Sequence, residues 1–173
     1  MDARLRSAAT LGVLVMLCLL GILFGVKSLT KDLPANPIAA GSDELCTERT
    51  VEAGQKIRAS EITVSVYNAG RRAGAASTVM RQLQSRGFVA GESKNAPDGT
   101  DVRRAQVWAD TRGNSAAKLV AAQFGDDIAV KINRKNIGIG IVVVVGNELG
   151  KLVKAPTSTT ATRPTKVCSP PVE

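Results

Sequence analysis

The stretch that decides the fold is residues 62–90, ITVSVYNAGRRAGAASTVMRQLQSRGFVA. Apolar and polar residues alternate from Ile62 to Tyr67, which is typical of a half-buried β-strand. After a turn-rich segment at 68–74, apolar residues recur at i, i+3, i+4 and i+7, namely Ala76, Val79, Met80 and Leu83. This spacing predicts one buried face of a helix, which Gly87 can end before a second strand begins. The stretch therefore predicts a β-α-β unit.

The same pattern returns at a constant offset of 41 residues, which takes Tyr67 to Trp108 without a gap. Asn114 is a good N-cap for the second helix, and further strands are expected over 128–132 and 137–145. Two copies are too few for a solenoid, so the chain contains either an internal duplication or convergent patterning. Packed together, the two units predict an α+β fold. We expect a split βαβ sandwich (β-α-β-β-α-β plus an extra strand) with both helices on one face of the sheet.

The alternation also assigns side chains to the two faces of this sheet. Tyr67 and Trp108 are expected on the face away from the helices, on two adjacent central strands. There they would either form an exposed stacking platform for a sugar ring or pack beneath a terminal segment. The last strand, 141–145, is apolar on both sides. We therefore expect it to be covered on both faces, by segment 45–58, by the C-terminal segment or by a partner chain.

The composition excludes several kinds of chemistry. Histidine is absent, which removes His-based acid–base catalysis, Ser–His and Cys–His nucleophile pairs and most zinc sites. Three cysteines cannot form a Cys₄ metal site. The composition therefore predicts a protein that binds rather than catalyses, with no cofactor and no metal.

An uncharged stretch at 7–26 lies between Arg6 and Lys27. Its length corresponds to about 30 Å of helix, enough to cross a bilayer core. A signal peptide, the alternative, has a shorter apolar region followed by a small-residue cleavage site, so an uncleaved transmembrane helix is favoured. Gly21 and Gly25 form a G-x-x-x-G motif that could join two copies in a homo-oligomer, although lipid-facing glycines are the plainer interpretation.

The prediction of membrane topology depends on the cysteines, because the positive charges at the two ends of stretch 7–26 nearly balance. Cys46 and Cys168 bracket everything that looks folded, which predicts a disulfide in an oxidising compartment, with two unrelated thiols as the alternative. The Thr- and Pro-rich segment at the end of the chain is common in extracytoplasmic stalks. We therefore expect a cytoplasmic N-terminus and an extracytoplasmic C-terminal domain.

The expected organisation has five parts: a cytoplasmic stub (1–6), a transmembrane helix (7–26), a linker (27–44), an extracytoplasmic domain (45–155) and a Thr/Pro-rich tail (156–173). The chain carries 23 Lys and Arg against 15 Asp and Glu, a formal net charge of +8. This excess suits acidic lipid headgroups, anionic wall polymers or acidic protein surfaces as partners. Nucleic acid is not an expected partner outside the membrane.

Short motifs occur in a characteristic order, VSVYNAG at 64–70, AGAA at 73–76, LQSRGF at 83–88, NSAA at 114–117 and IVVVVG at 141–146. Over about residues 60–155 they resemble the LytR C-terminal domain family, the accessory module of LytR-CpsA-Psr cell-wall proteins. Ala69 stands where that family usually has glycine. The resemblance implies a stand-alone module, because the segment before it is too short for the phosphotransferase domain of those proteins, and no catalytic residue is carried over.

The resemblance further implies a role in cell-envelope integrity, and in virulence where the bearer is a pathogen, through protein interaction or scaffolding. The alternative is a binding module for a cell-wall glycan or an anionic lipid. For such a module the candidate ligand-binding residues are Tyr67, Trp108, Arg71 and Arg72. The two arginines lie between a strand and a helix, where backbone N–H groups could hold an anion, with a tight turn as the alternative.

Overall fold

A computed structural model describes residues 46–170 together with Met16 and Cys18. Its strands are β1 (Thr47–Val51), β2 (Lys56–Arg58), β3 (Thr63–Asn68), β4 (Val89–Asn95), β5 (Ala105–Ala109), β6 (Val130–Ile132), β7 (Ile141–Val145), β8 (Ser158–Thr160) and β9 (Thr165–Ser169). Its helices are α1 (Ala75–Gln84) and α2 (Ser115–Ala122), with a 3₁₀ turn at Ala59–Glu61. The fold is mixed α+β, with a core that is mostly sheet.

The expected membrane span at 7–26, the linker at 27–44 and the glycine motif of Gly21 and Gly25 lie outside the described residues, apart from Met16 and Cys18. Within the described part of the chain, no helix has the length and apolar character needed to cross a membrane.

The central sheet has five strands in the order β4-β3-β7-β5-β6. Strand β3 is parallel to both β4 and β7, whereas β5 is antiparallel to β7 and parallel to β6. Each β-α-β unit therefore keeps its two strands side by side. The split βαβ prediction, which made β3 and β5 adjacent, is wrong because β7 lies between them.

The composition of β7 explains this correction. All five of its residues, Ile141–Val145, are buried. A strand that is apolar on both sides is stabilised most where both faces of the sheet are covered, which is its centre. At an edge of the sheet, β7 would have no neighbouring strand on one side. The most apolar strand therefore lies at the centre, between the two β-α-β units.

Both helices pack on the same face of this sheet, as expected, although the predicted strand order is wrong. Helix α1 buries the four apolar residues of its predicted face, Ala76, Val79, Met80 and Leu83. Helix α2 begins after Asn114, whose side-chain oxygen accepts a hydrogen bond from the Ala117 amide at 2.9 Å. Together the helices form one apolar core with Val64, Val66, Val107 and Val143 from the sheet.

The second face of the sheet carries a smaller cluster of Tyr67, Val102, Trp108, Val142 and Val144. Burial of β7 on both faces is confirmed, but neither the tail nor segment 45–58 covers this side. The partly buried Ala96 and Ile137, from the loops before β5 and before β7, pack against the cluster. Two loops of the domain itself therefore replace the expected cover.

Ser65 holds one of these loops on the second face. Its hydroxyl donates to the Ile139 carbonyl at 2.8 Å and accepts from the Ile139 amide at 3.0 Å. At Gly138, with φ of 72°, an added Cβ would lie 2.9 Å from a ring carbon of Tyr67. The loop approaches the sheet so closely that only glycine fits there.

The two ends of the described segment pair with each other. Strand β1 is antiparallel to β9, and β2 is antiparallel to β8. The predicted disulfide between Cys46 and Cys168 is confirmed, with Cα atoms 5.3 Å apart. The segment after residue 156 thus supplies two strands, β8 and β9, that pair with the start of the domain.

Candidate binding surface

The two aromatic candidates lie on the second face of the sheet, on either side of β7. Tyr67 is paired with Val144 and Trp108 with Val142. The shared face agrees with the predicted alternation. Their exposed fractions are only 6% and 8%, so the exposed stacking platform is wrong. The covering loops leave little of either ring in contact with solvent.

Tyr67 belongs to a small polar network at the β4 edge. Its phenol donates a hydrogen bond to the Glu92 carboxylate, which also accepts one from Lys94 Nζ at 2.7 Å. Burial raises the pKa of the Tyr67 phenol well above its ordinary value, and the carboxylate adds to that effect. The hydrogen bond from Lys94, followed by that from Tyr67, lowers the pKa of Glu92. Tyr67 is therefore a protonated donor in a structural contact.

Arg71 and Arg72 are exposed in the loop after β3, and part of the backbone around them is already engaged. The Gly70 amide donates to Asn68 Oδ1 at 3.0 Å, and the Arg71 amide donates to Asn147 Oδ1 at 2.7 Å. The Asn68 side chain also donates to the Arg72 carbonyl at 2.9 Å. The amides of Gly70 and Arg71 are therefore not available to hold an anion, whereas the side chains of both arginines are exposed.

Trp108 borders a cleft of about 270 Å³ on the second face, near the β6 edge. Its indole N–H donates to Gln106 Oε1 at 3.2 Å, and Lys131 is its direct neighbour on β6. The remaining lining comes from two loops, Gly99, Thr100, Asp101, Arg134 and Lys135, and from the exposed Ile132. Trp108 is thus part of the lining of this cleft.

The cleft is markedly basic. Lys131, Arg134 and Lys135 line it, against Asp101 as its one acidic side chain. Lys135 Nζ donates to Thr100 Oγ1 at 3.0 Å, which ties the two loops together. Among the described residues, no carboxylate forms a salt bridge with any of the three cations. The three cations are therefore free of direct ion pairs with the described carboxylates.

A second cleft of about 430 Å³ lies between the loop after β3 and the loop after β4. Arg71 lines it opposite Asp98, whereas Arg72 lines neither cleft. Gly99 and Thr100 border both clefts. The structure therefore places Arg71 and Trp108 on two sides of one loop, instead of in one pocket.

The basic side chains of the Trp108 cleft are not among the residues predicted from the sequence. Lys131, Arg134 and Lys135 occur in the run KINRK at 131–135. This run of charges was the one signal of a basic site in the sequence. It indicates a site near Trp108 only once the pairing of Trp108 with Lys131 in the sheet is known. Within the described residues there is also no group of three or more side chains that could hold a metal ion.

Comparison with known proteins adds a family. The family model described as LytR cell envelope-related transcriptional attenuator matches residues 61–148. No curated protein matches the chain. Among solved structures, the chain is similar to the soluble domain of a conserved hypothetical secreted protein from Mycobacterium marinum, with 21% identity and a TM-score of 0.45. That match covers 60% of this chain and 78% of the other.

Proposed function

Because the chain belongs to the LytR C-terminal family, whose members are described as cell envelope-related, we propose that it is a non-enzymatic protein of the cell envelope. It contributes to envelope integrity by binding or scaffolding other envelope components. The observation that carries this proposal is the family match over 61–148, which includes all five strands of the central sheet and both helices.

The proposal also assigns the chain a location in the cell. The uncharged stretch 7–26 anchors the chain in the membrane as a single span, with the N-terminus in the cytoplasm and the folded domain outside. The disulfide between Cys46 and Cys168 supports this placement, since such bonds persist in oxidising compartments. Paired spans through Gly21 and Gly25 would make the anchor a homo-oligomer.

We also propose that the chain is a relative of the actinobacterial envelope integrity protein Cei, with a contribution to virulence where the bearer is a pathogen. The support is the ordered set of motifs from 64–70 to 141–146 together with the anchor and the two bracketing cysteines. We expect the chain to have no enzymatic activity, since it has no histidine and no catalytic residue is carried over from the family. Several of its buried polar side chains have structural roles. Asn114 and Gln123, for example, are committed to structural hydrogen bonds.

A deletion strain complemented with the full chain tests the envelope role. Expression of the chain should restore resistance to detergent and to dyes that enter through a damaged envelope. The Cys46→Ser variant, which loses the clasp between β1 and β9, should restore less, and Cys18→Ser should restore as much as the natural chain. Full resistance in the deletion strain without any complementation would contradict the proposal.

The second candidate function is binding of a cell-wall glycan or an anionic lipid. The specific observation in its favour is the charge of residues 46–170, which carry nineteen Lys and Arg against ten Asp and Glu, a formal net charge of +9. Three of these cations line the Trp108 cleft. Crosslinking of the full chain to membrane proteins, compared with its retention on purified cell wall, separates this candidate from protein scaffolding.

A further inference from the structure

We propose that the Trp108 cleft is a binding site for an anionic saccharide, that is, a sugar carrying a phosphate or a carboxylate group. The proposal deepens the second candidate function and rests on it, since it assigns a site and a ligand class to an envelope-binding domain. It differs from the sequence expectation in two respects. The aromatic face is not the platform, and the cations come from β6 and the following loop.

The floor and walls of the cleft come from different parts of the fold. Gln106 and Trp108 form its floor on β5, and Lys131 stands beside Trp108 on β6. Arg134 and Lys135 follow β6 directly, and Thr100 faces them from the loop before β5. The Lys135–Thr100 hydrogen bond of 3.0 Å joins the two walls, so the site exists before any ligand arrives.

The charge of the cleft selects an anion. Lys131 and Arg134 are exposed and form no salt bridge with any described carboxylate, so binding an anion breaks no existing ion pair. Asp101 offsets one of the three positive charges. A phosphate or carboxylate held by a guanidinium and an ammonium group gains charge-assisted hydrogen bonds, which are stronger than neutral ones.

The shape and the remaining lining favour a saccharide over a lipid surface or a protein. The cleft is a recess of about 270 Å³, close to the lower limit of small-ligand sites, whereas a membrane surface would contact protruding side chains. The Gln106 amide can exchange hydrogen bonds with sugar hydroxyls. The Thr100 hydroxyl donates to the Pro97 carbonyl at 2.6 Å and accepts from Lys135, so it can only accept one further hydrogen bond. Trp108, of which 8% is exposed, can add a small apolar contact to a sugar ring.

The site also allows a polymer to continue beyond one sugar unit. Gly99 and Thr100 border both this cleft and the cleft that contains Arg71. A glycan chain that crosses this loop would bring a second anionic group to Arg71. We therefore expect longer anionic oligosaccharides to bind more tightly than single units.

The test uses the full chain reconstituted in phosphatidylcholine nanodiscs. Four probes are compared: an oligogalacturonate (carboxylate), a phosphomannan fragment (phosphate), a neutral dextran of similar length and vesicles containing phosphatidylglycerol. We expect at least one anionic saccharide to bind more than about tenfold tighter than dextran. The two anionic saccharides together identify which group the cleft prefers.

The decisive variant carries Lys131→Glu and Arg134→Glu, and the matched control carries Lys118→Glu and Lys154→Glu. All four side chains are exposed, and both variants change the net charge equally. The first should weaken binding of the anionic saccharide by at least about tenfold, and the control by less than about twofold. Gln106→Ala adds a charge-neutral variant, for which inorganic phosphate serves as a fifth probe. This variant should weaken binding of the saccharide but leave binding of inorganic phosphate unchanged.

Equal weakening in both charge variants would overturn the proposal, because binding would then follow overall charge. Binding to the phosphatidylglycerol vesicles alone would assign the cleft to a lipid, and no binding to any saccharide would also overturn it. The complementation assay separates these outcomes from the envelope role. If the Lys131→Glu, Arg134→Glu variant restores the deletion strain, the envelope role stands, but the saccharide site is not its cause.

Discussion

Arg86 and Gln123 join the ends of the two helices, with Arg86 Nη1 donating to Gln123 Oε1 at 2.7 Å. The amide nitrogen of Gln123 donates to the carbonyls of Leu119 at 3.1 Å and Pro156 at 2.8 Å. Arg86 also donates to the carbonyl of Val153 at 2.6 Å. This pair therefore links both β-α-β units to the segment that leads from β7 to β8.

Replacement of Gln123 by Leu should lower the free energy of unfolding by about 1–3 kcal/mol. Gln123 is fully buried, and its loss leaves the Pro156 carbonyl without its partner. Chemical denaturation of the variant measures the change. The exposed Gln82→Leu on α1 is the control and should change the stability by less than about 0.5 kcal/mol. An equal effect at both positions would show that the buried amide contributes nothing specific.

Loss of the disulfide should lower the stability of the domain by about 2–5 kcal/mol. The bond between Cys46 and Cys168 closes a loop with a sequence separation of 122 residues. Its removal therefore raises the conformational entropy of the unfolded chain over most of the domain. The double replacement by Ala and treatment of the natural chain with a reductant should give the same thermal midpoint. A Cys18→Ala chain should melt like the natural one, and a midpoint unchanged by reductant would refute the expectation.

Gly138→Ala should destabilise the domain more than Gly99→Ala. Both glycines have positive φ, 72° and 71°, so the backbone strain of an alanine is about equal. The Cβ at residue 138 would lie 2.8 Å from Val142 Cγ2 and 2.9 Å from Tyr67, whereas nothing lies within 4 Å at residue 99. The difference between their unfolding free energies isolates the close approach of the loop, and equal values would contradict it.

The Glu92 contact should make the stability depend on pH in the acid range. Its folded-state pKa is lowered, so its contribution is present above the unfolded value, about 4.3, and is lost as the pH falls through the folded value. The thermal midpoint of Glu92→Gln should therefore fall less steeply than that of the natural chain below about pH 4. Exchange of the exposed Glu52 for Gln is the control, and identical acid profiles for Glu92→Gln and the natural chain would exclude the contact as a cause.

Local patterns were sufficient for the elements that depend on neighbouring residues. The helix faces at Ala76–Leu83, the cap at Asn114 and the double burial of 141–145 follow from periodicity and side-chain chemistry, which act over a few residues. The pairing of Cys46 with Cys168 also followed, because only these two cysteines bracket the folded segments. None of these features depends on which strands are neighbours in the sheet.

Tertiary structure alone decided the order of the strands, the cover of the second face and the basic cleft. Two patterned units are compatible with several sheet orders, and only the burial of β7 at the centre selects among them. The same sheet order brings Lys131 beside Trp108 and hides the aromatic faces beneath the loops. Alternation determines which side of a strand a residue occupies, but what lies on that side depends on contacts between residues far apart in the chain.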